Sequence, residues 1–183
     1  MSTPADALVV VDVQRGWVSG PQAVSGGDAL VSALAGAATA ARDAGALVVH
    51  VQDVGDEDSS VPPGSPGREL VLPVEPSDVV LPKLTGDAFA GTDLEALLRS
   101  RGVRTVAVGG LQSEMCVADT ARTALRLGFT VVLPRDAHAT RDIPADGPVP
   151  GVPAAQVARV AEWSLGDEVV VVDRAADVEF GRL

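Results

Sequence analysis

The chain has one cysteine, Cys116, in the run Gly109-Gly110-Leu111-Gln112-Ser113-Glu114-Met115-Cys116-Val117. A strand-like stretch (Val103 to Val108) precedes it and a helical one (Ala118 to Leu127) follows, so the thiol falls where a helix begins. The free N–H groups and partial positive charge of a helix start stabilise a thiolate and can receive the oxyanion of an attacked carbonyl. Asp12 ends the apolar run Ala7-Leu8-Val9-Val10-Val11, and Lys83 ends Val79-Val80-Leu81-Pro82, which puts a carboxylate and an ammonium at strand C-termini. A free thiol, with a pKa of about 8.5, is mostly protonated at neutral pH, so attack by its sulfur needs a base. Asp12 can be that base: burial raises a carboxylate's pKa, while a neighbouring ammonium opposes the rise and positions the group. Singly, each has a plainer reading: an inert core thiol, a turn cap, a solvated strand end.

Three such residues act together only if the elements carrying them converge. Valine-rich runs at 7–12, 46–52, 79–82, 103–109, 129–133 and 168–172 are read as strands. Continuously apolar strands separated by helical segments predict a parallel sheet covered on both faces, a three-layer α/β/α domain spanning residues 1–183. In the first helix Leu30, Leu34, Ala37, Ala38 and Ala41 form one stripe, closed by Gly45. Thr92 and Glu95 form a capping box for the second, with Leu94, Leu97 and Leu98 inward and Gly102 at its end. Val117, Ala121, Ala124 and Leu125 stripe the third, which stops at Gly128; Pro153 opens the last, with Val157, Val160 and Ala161 buried and Gly166 at its end. Residues 53–78 and 140–152, rich in proline and glycine, are long loops of the kind used as lids or partner contacts.

Composition excludes several classes. An apolar share of 46% in 183 residues supports one well-buried domain rather than a disordered chain. A formal net charge of -11 and no cluster of Lys or Arg argue against nucleic acid or anionic membrane as partner. A single cysteine forms no internal disulfide, Met1 to Asp6 offers no secretory signal pattern, and no apolar stretch nears the ~20 residues of a membrane span. The expected location is the cytoplasm.

Taken in order, Asp12-Val13-Gln14, the Lys83 strand, Ala88-Phe89-Ala90-Gly91-Thr92-Asp93-Leu94, the Cys116 segment, Thr120-Ala121-Arg122-Thr123-Ala124 and Asp136-Ala137 resemble the isochorismatase-like cysteine hydrolases over roughly residues 6 to 140. The cysteine segment is the specific part; Asp12-Val13-Gln14 alone is weak. The resemblance implies a six-stranded parallel sheet of order 3-2-1-4-5-6, with Asp12 beside the Gly109–Cys116 turn at the switch point and Lys83 reaching inward along the sheet top. It implies an Asp12-Lys83-Cys116 triad that hydrolyses a C–N amide or ureido bond of a small molecule, not a peptide bond, through a thioester. By the same resemblance the N–H groups of Gln112 and Cys116 form the oxyanion hole, and the Leu111–Gln112 peptide is cis. Relatives use the region matching 53–78 and the helix after the cysteine in subunit contacts, which implies a homo-oligomer, dimer or larger.

Gln14, Trp17, Phe89, Leu111, Glu114 and Met115 are the candidates for the substrate pocket. Trp17 and Phe89 stand out in a chain with 3% aromatics and no tyrosine, and both follow catalytic-type strands. Glu114 is read either as a pocket residue or as an exposed cap; Asp136 is read as ordering a turn and His138 as structural. No cofactor and no metal are expected: nicotinamidases of this superfamily use an Asp-x-His pair, here Asp53-Val54-Gly55, and the chain has only His50 and His138. Isochorismatase-type vinyl ether hydrolysis is the alternative reaction, disfavoured by Cys116 because the true isochorismatases lack the cysteine. A receiver-like signalling domain needs paired acids for Mg²⁺ beside its Asp and Lys, and here Ser2 to Asp6 offers only Asp6; a non-catalytic scaffold is the other reading from a different class.

Overall fold

The computed structural model describes residues 4–55, 57–59 and 61–181, so the Met1–Asp6 segment lies partly outside the described residues. In chain order the elements are β1 (Ala7–Val11), α1 (Arg15–Val18), α2 (Gly27–Ala44), β2 (Leu47–Asp53), β3 (Val79–Lys83), α3 (Leu94–Ser100), β4 (Thr105–Leu111), α4 (Ala118–Arg126), β5 (Thr130–Pro134), β6 (His138–Ala139), α5 (Ala154–Ser164) and β7 (Val170–Val172). The sheet runs β3-β2-β1-β4-β5-β7, parallel throughout. This is the expected order, with the sixth expected strand appearing as β7. The two-residue β6, which extends β4 at Gly110 and Leu111, was not foreseen because it carries no apolar run.

Side-chain alternation along β1 explains the layers. Ala7, Val9 and Val11 join Leu94 and Leu98 of α3 and Ala121 and Ala124 of α4 in one apolar cluster. Leu8 and Val10 point the other way, into a cluster with the α2 stripe Leu30, Leu34, Ala37, Ala38 and Ala41. Gly45, at φ 76, ends α2 in the left-handed conformation that glycine tolerates best. No helix among the described residues is long and apolar enough to cross a membrane.

Two local expectations fail. The Thr92/Glu95 capping box does not form: Thr92 N–H donates to the Phe89 carbonyl and Glu95 turns along the helix to Arg99, 2.8 Å away. Val160 of α5 is 64% exposed because only Val157 and Ala161 meet the layer beneath. The 53–78 loop is less free than its composition implies, since Val61 and Leu72 are buried within this same chain. The Arg68 guanidinium donates to the carbonyls of Val54, Gly55 and Val61 and so ties the loop together.

The active end of the sheet depends on glycine. Val11 is paired with Gly110 in the β1–β4 register. Gly110 sits at φ 128, and a Cβ built there would lie 2.0 Å from the Val11 carbonyl oxygen. Gly109 is likewise closed, its Cβ position being 2.6 Å from the Ala137 carbonyl oxygen. Gly110→Ala is therefore expected to destabilise the fold by about 1–3 kcal/mol or more, through overpacking and backbone strain. Gly36, on the exposed side of α2 with nothing within 4 Å of its Cβ position, is expected to gain about 0.5–1 kcal/mol on replacement by Ala. Denaturant midpoints of the two variants check the contrast; equal shifts would refute it.

Candidate active site

Asp12 leaves β1 at φ 56, a left-handed conformation that aspartate tolerates better than most residues. Its N–H donates to the Val51 carbonyl (2.9 Å) and its carbonyl accepts from Gln14 N–H (2.8 Å), which fixes the turn. Lys83 ends β3, two strands away, and its side chain crosses the top of β2 to meet Asp12. The ammonium lies 2.8 Å from Asp12 Oδ2, donates to the Thr85 carbonyl (2.9 Å) and reaches Cys116 Sγ at 3.5 Å. All three of its protons have acceptors. Asp12 is 3% exposed and Lys83 2%, so the pair is shielded from bulk water.

Cys116 does not sit inside α4. It belongs to a π-type turn, Ser113–Val117, between β4 and the helix, with Met115 out of the helical region at φ -109, ψ -107. The Gln112 carbonyl accepts from both Met115 and Val117 N–H groups (3.1 and 3.2 Å), closing the turn around the cysteine. The Leu111–Gln112 peptide is cis.

The electrostatics differ from a thiolate resting on a helix start. Burial, then the Asp12 charge, push the Cys116 thiol up to about 12 against the opposing pull of Lys83, so at neutral pH the sulfur carries its proton. Burial pushes Asp12 up to about 6 although Lys83 holds it down, so the carboxylate is ionised at neutral pH and close to taking a proton. Burial pulls Lys83 down, but the charges of Asp12, Cys116 and Asp53 outweigh it and raise the ammonium above its ordinary value. Asp12 Oδ1 is buried with no hydrogen-bond partner among the described residues, whereas Oδ2 is held by Lys83. One oxygen is anchored and the other is free to accept a proton.

A cavity of about 260 Å³ opens above these groups. Of the residues expected around it, Trp17, Leu111, Gln112 and Met115 line it with Asp12, Lys83 and Cys116. Gln14, Phe89 and Glu114 do not. Gln14 is fully buried behind the wall, where its amide grips the Asp53 backbone: Oε1 accepts from Asp53 N–H and Nε2 donates to the Asp53 carbonyl, both 2.9 Å. Phe89 stacks on Phe129 in the core, ring centroids 6.2 Å apart. Glu114 turns away to accept from Thr140 Oγ1 at 2.9 Å. His138 is buried against Ser113 Oγ (2.8 Å) under the cysteine turn, and Asp136 accepts from Ala175 N–H (2.6 Å); neither lines the cavity.

Sequence reasoning missed Asp53, Leu84, Thr85 and Gly86, which complete the lining. Asp53 could have been found, because it ends β2 as Asp12 ends its strand and Lys83 theirs; only the metal motif was tested there. No group of three or more His, Cys, Asp or Glu among the described residues could hold a metal ion.

The isochorismatase domain family matches residues 6–146. A streptothricin hydrolase of Streptomyces noursei is 54% identical over 95% of this chain and 64% of its own, so the chain spans a little under two thirds of that relative. A ureidoacrylate amidohydrolase of Azorhizobium caulinodans is 29% identical over 72% of this chain and 74% of its own. The crystal structure of an isochorismatase from Pseudomonas putida KT2440 superposes with a TM-score of 0.88 at 29% identity, covering 97% of this chain and 94% of that one. With the family match over most of its length and the parallel sheet carrying an aspartate, a lysine and a cysteine in contact, the chain belongs to the isochorismatase-like hydrolase family.

Proposed function

We propose that the chain is a cysteine hydrolase that cleaves a C–N amide or ureido bond of a small molecule through a thioester, with Asp12 as base, Lys83 as the charge that holds both partners and Cys116 as nucleophile. The observation that carries this reading is the Lys83 ammonium joining Asp12 Oδ2 and Cys116 Sγ on the floor of one cavity. The relatives named for hydrolysis of streptothricin and ureidoacrylate support it. Thiol, carboxylate and ammonium between them supply nucleophile, proton acceptor and fixed cation, so the scheme calls on no cofactor.

The resting site holds thiol, carboxylate and ammonium. As sulfur attacks the acyl carbon, Asp12 Oδ1 takes the thiol proton, and negative charge moves from carboxylate to sulfur while staying beside Lys83. The step is self-assisting: the Asp12 charge that holds the thiol protonated disappears as Asp12 is neutralised. The tetrahedral oxyanion is received by the N–H groups of Gln112 and Cys116, both on the cavity wall. Collapse expels the amine with the proton from Asp12, leaving a thioester. Asp12 then takes a proton from water, whose oxygen attacks the thioester; collapse breaks the C–S bond, frees the acid, and Asp12 returns the proton to the Cys116 sulfur.

Cys116→Ser is expected to keep the fold and lower ammonia release from a substrate amide by about 10³-fold or more. Near wild-type turnover by this variant would overturn the reading. The base must be ionised, so kcat/KM is expected to rise with pH through about 6 and then level, following Asp12; a flat profile between mild acid and neutrality would remove Asp12 from the role. We also propose that the chain self-associates, since Val160 and Trp163, three residues apart on one face of α5, leave 64% and 76% of their surface uncovered. Light scattering is expected to give a dimer mass or more, and a monomer that is fully active at micromolar concentration would contradict it.

A further inference from the structure

We infer that Asp53 is the substrate-selecting residue of this cavity and that it takes a cationic group, an ammonium or guanidinium, carried by the substrate beside its scissile bond. The inference rests on the hydrolase reading above and names the class of molecule that the site admits.

Asp53 lines the cavity with the triad, and its backbone stands directly opposite Lys83 in the β2–β3 register. Its position is built. The buried Gln14 amide clamps its N–H and carbonyl, and Oδ1 accepts from Gly55 N–H at 2.8 Å. That is its only side-chain hydrogen bond among the described residues, and no cation there pairs with it. Lys83, the nearest candidate, spends its three protons on Asp12, Thr85 and Cys116. Arg68, close in the same loop, turns its Nε and Nη2 to the carbonyls of Val54, Gly55 and Val61 rather than to the Asp53 carboxylate.

The cavity therefore holds two carboxylates, Asp12 and Asp53, against one ammonium. Asp12 is engaged by Lys83 through Oδ2 and faces the Cys116 thiol with Oδ1, so Asp53 is the carboxylate left over for a cation from outside. In so confined a space an uncompensated carboxylate attracts a cation and repels an anion more strongly than in bulk water, because field lines run through low-dielectric walls. The walls beside it, Trp17, Leu84 and Met115, are apolar, which suits the hydrocarbon between a cationic group and the acyl carbon.

Cys116 is the chain's only cysteine, so thiol reagents report on this cavity alone. The test compares second-order rates of Cys116 modification by three methanethiosulfonates, bearing ammonioethyl, hydroxyethyl and sulfonatoethyl groups, each divided by its rate with a simple free thiol. Dividing the cationic by the neutral rate cancels the reactivity of the sulfur itself. The wild-type protein is expected to favour the cation over the neutral reagent by about tenfold, and Asp53→Asn, which keeps the bond to Gly55, to remove most of that preference. Asp58→Asn, an exposed acid of the same loop, serves as control for the overall negative field and should leave it. An unchanged ratio in Asp53→Asn, or faster reaction of the anionic reagent, would overturn the assignment.

A second arm measures ammonia release from γ-aminobutyramide and its methyl isostere valeramide. Preference for the former, lost in Asp53→Asn through KM, supports the inference. Equal turnover of both amides would sink the inference and leave the hydrolase reading standing. Charge-selective labelling with no turnover of any amide would do the reverse.

Discussion

Everything at this end of the sheet turns on keeping an ammonium and a carboxylate together on the floor of a cavity, almost wholly withdrawn from bulk solvent. Removing two charges from water costs several kcal/mol each, and their attraction offsets this only when the remaining protons and lone pairs are also satisfied. Lys83 meets that condition with acceptors on three different segments: the end of β1, the stretch after β3 and the turn after β4. The ion pair thus fixes the relative placement of three strand ends. Without Asp12 the lysine is a buried lone cation; without Lys83 the carboxylate is buried alone. The geometry that brings the Cys116 thiol beside Asp12 is the same geometry that makes the burial tolerable.

The layers of the fold were legible in the sequence because continuous valine runs and 3.6-residue stripes are strong signals: the α2 stripe and the six main strands follow from side-chain type alone. Asp12 and Lys83 stood out as charged residues ending apolar runs and Cys116 as the single cysteine at a helix start, while their meeting at one point came only from the family resemblance. The shape of the turn around Cys116 was not legible, since a π-type turn and a kinked Met115 arise from how β4 meets α4 and leave no periodic trace. Gln14 and Phe89 were misplaced for a related reason: proximity in sequence to a strand end does not say whether a side chain faces the cavity or the layer behind it. Gln14 turned inward because two backbone groups of Asp53 needed partners there, and Phe89 because Phe129 offered a ring to stack on.

Gln14 also links the site to the long loop. The same Nε2 that holds the Asp53 carbonyl reaches the Arg68 carbonyl at 3.1 Å, and Gln52 donates to that carbonyl at 2.9 Å. Arg68 in turn gathers the carbonyls of Val54, Gly55 and Val61. A segment rich in proline and glycine is thereby anchored to the strand ends by polar groups as well as by the buried side chains of Val61 and Leu72.

The raised affinity of Asp12 for a proton has a consequence for the folded state as a whole. Its pKa lies near 3.8 in an ordinary setting and about 6 in the folded protein, so between those values the native chain holds a proton that the unfolded chain has released. For such a group folding is favoured in acid, and the contribution is lost as pH rises through about 6. Lys83, also raised above its ordinary value, has the same sign in a different window: its contribution to the native state is lost only as pH rises through strongly alkaline values. At neutrality the protein therefore holds Asp12 ionised at some expense of stability, and protonation in mild acid relieves that carboxylate but leaves Lys83 without its counter-charge. The buried His50 and His138, held below their ordinary value by burial, favour the native state at neutrality and lose that contribution as pH falls, so acid pulls the fold in opposite directions at Asp12 and at the two imidazoles.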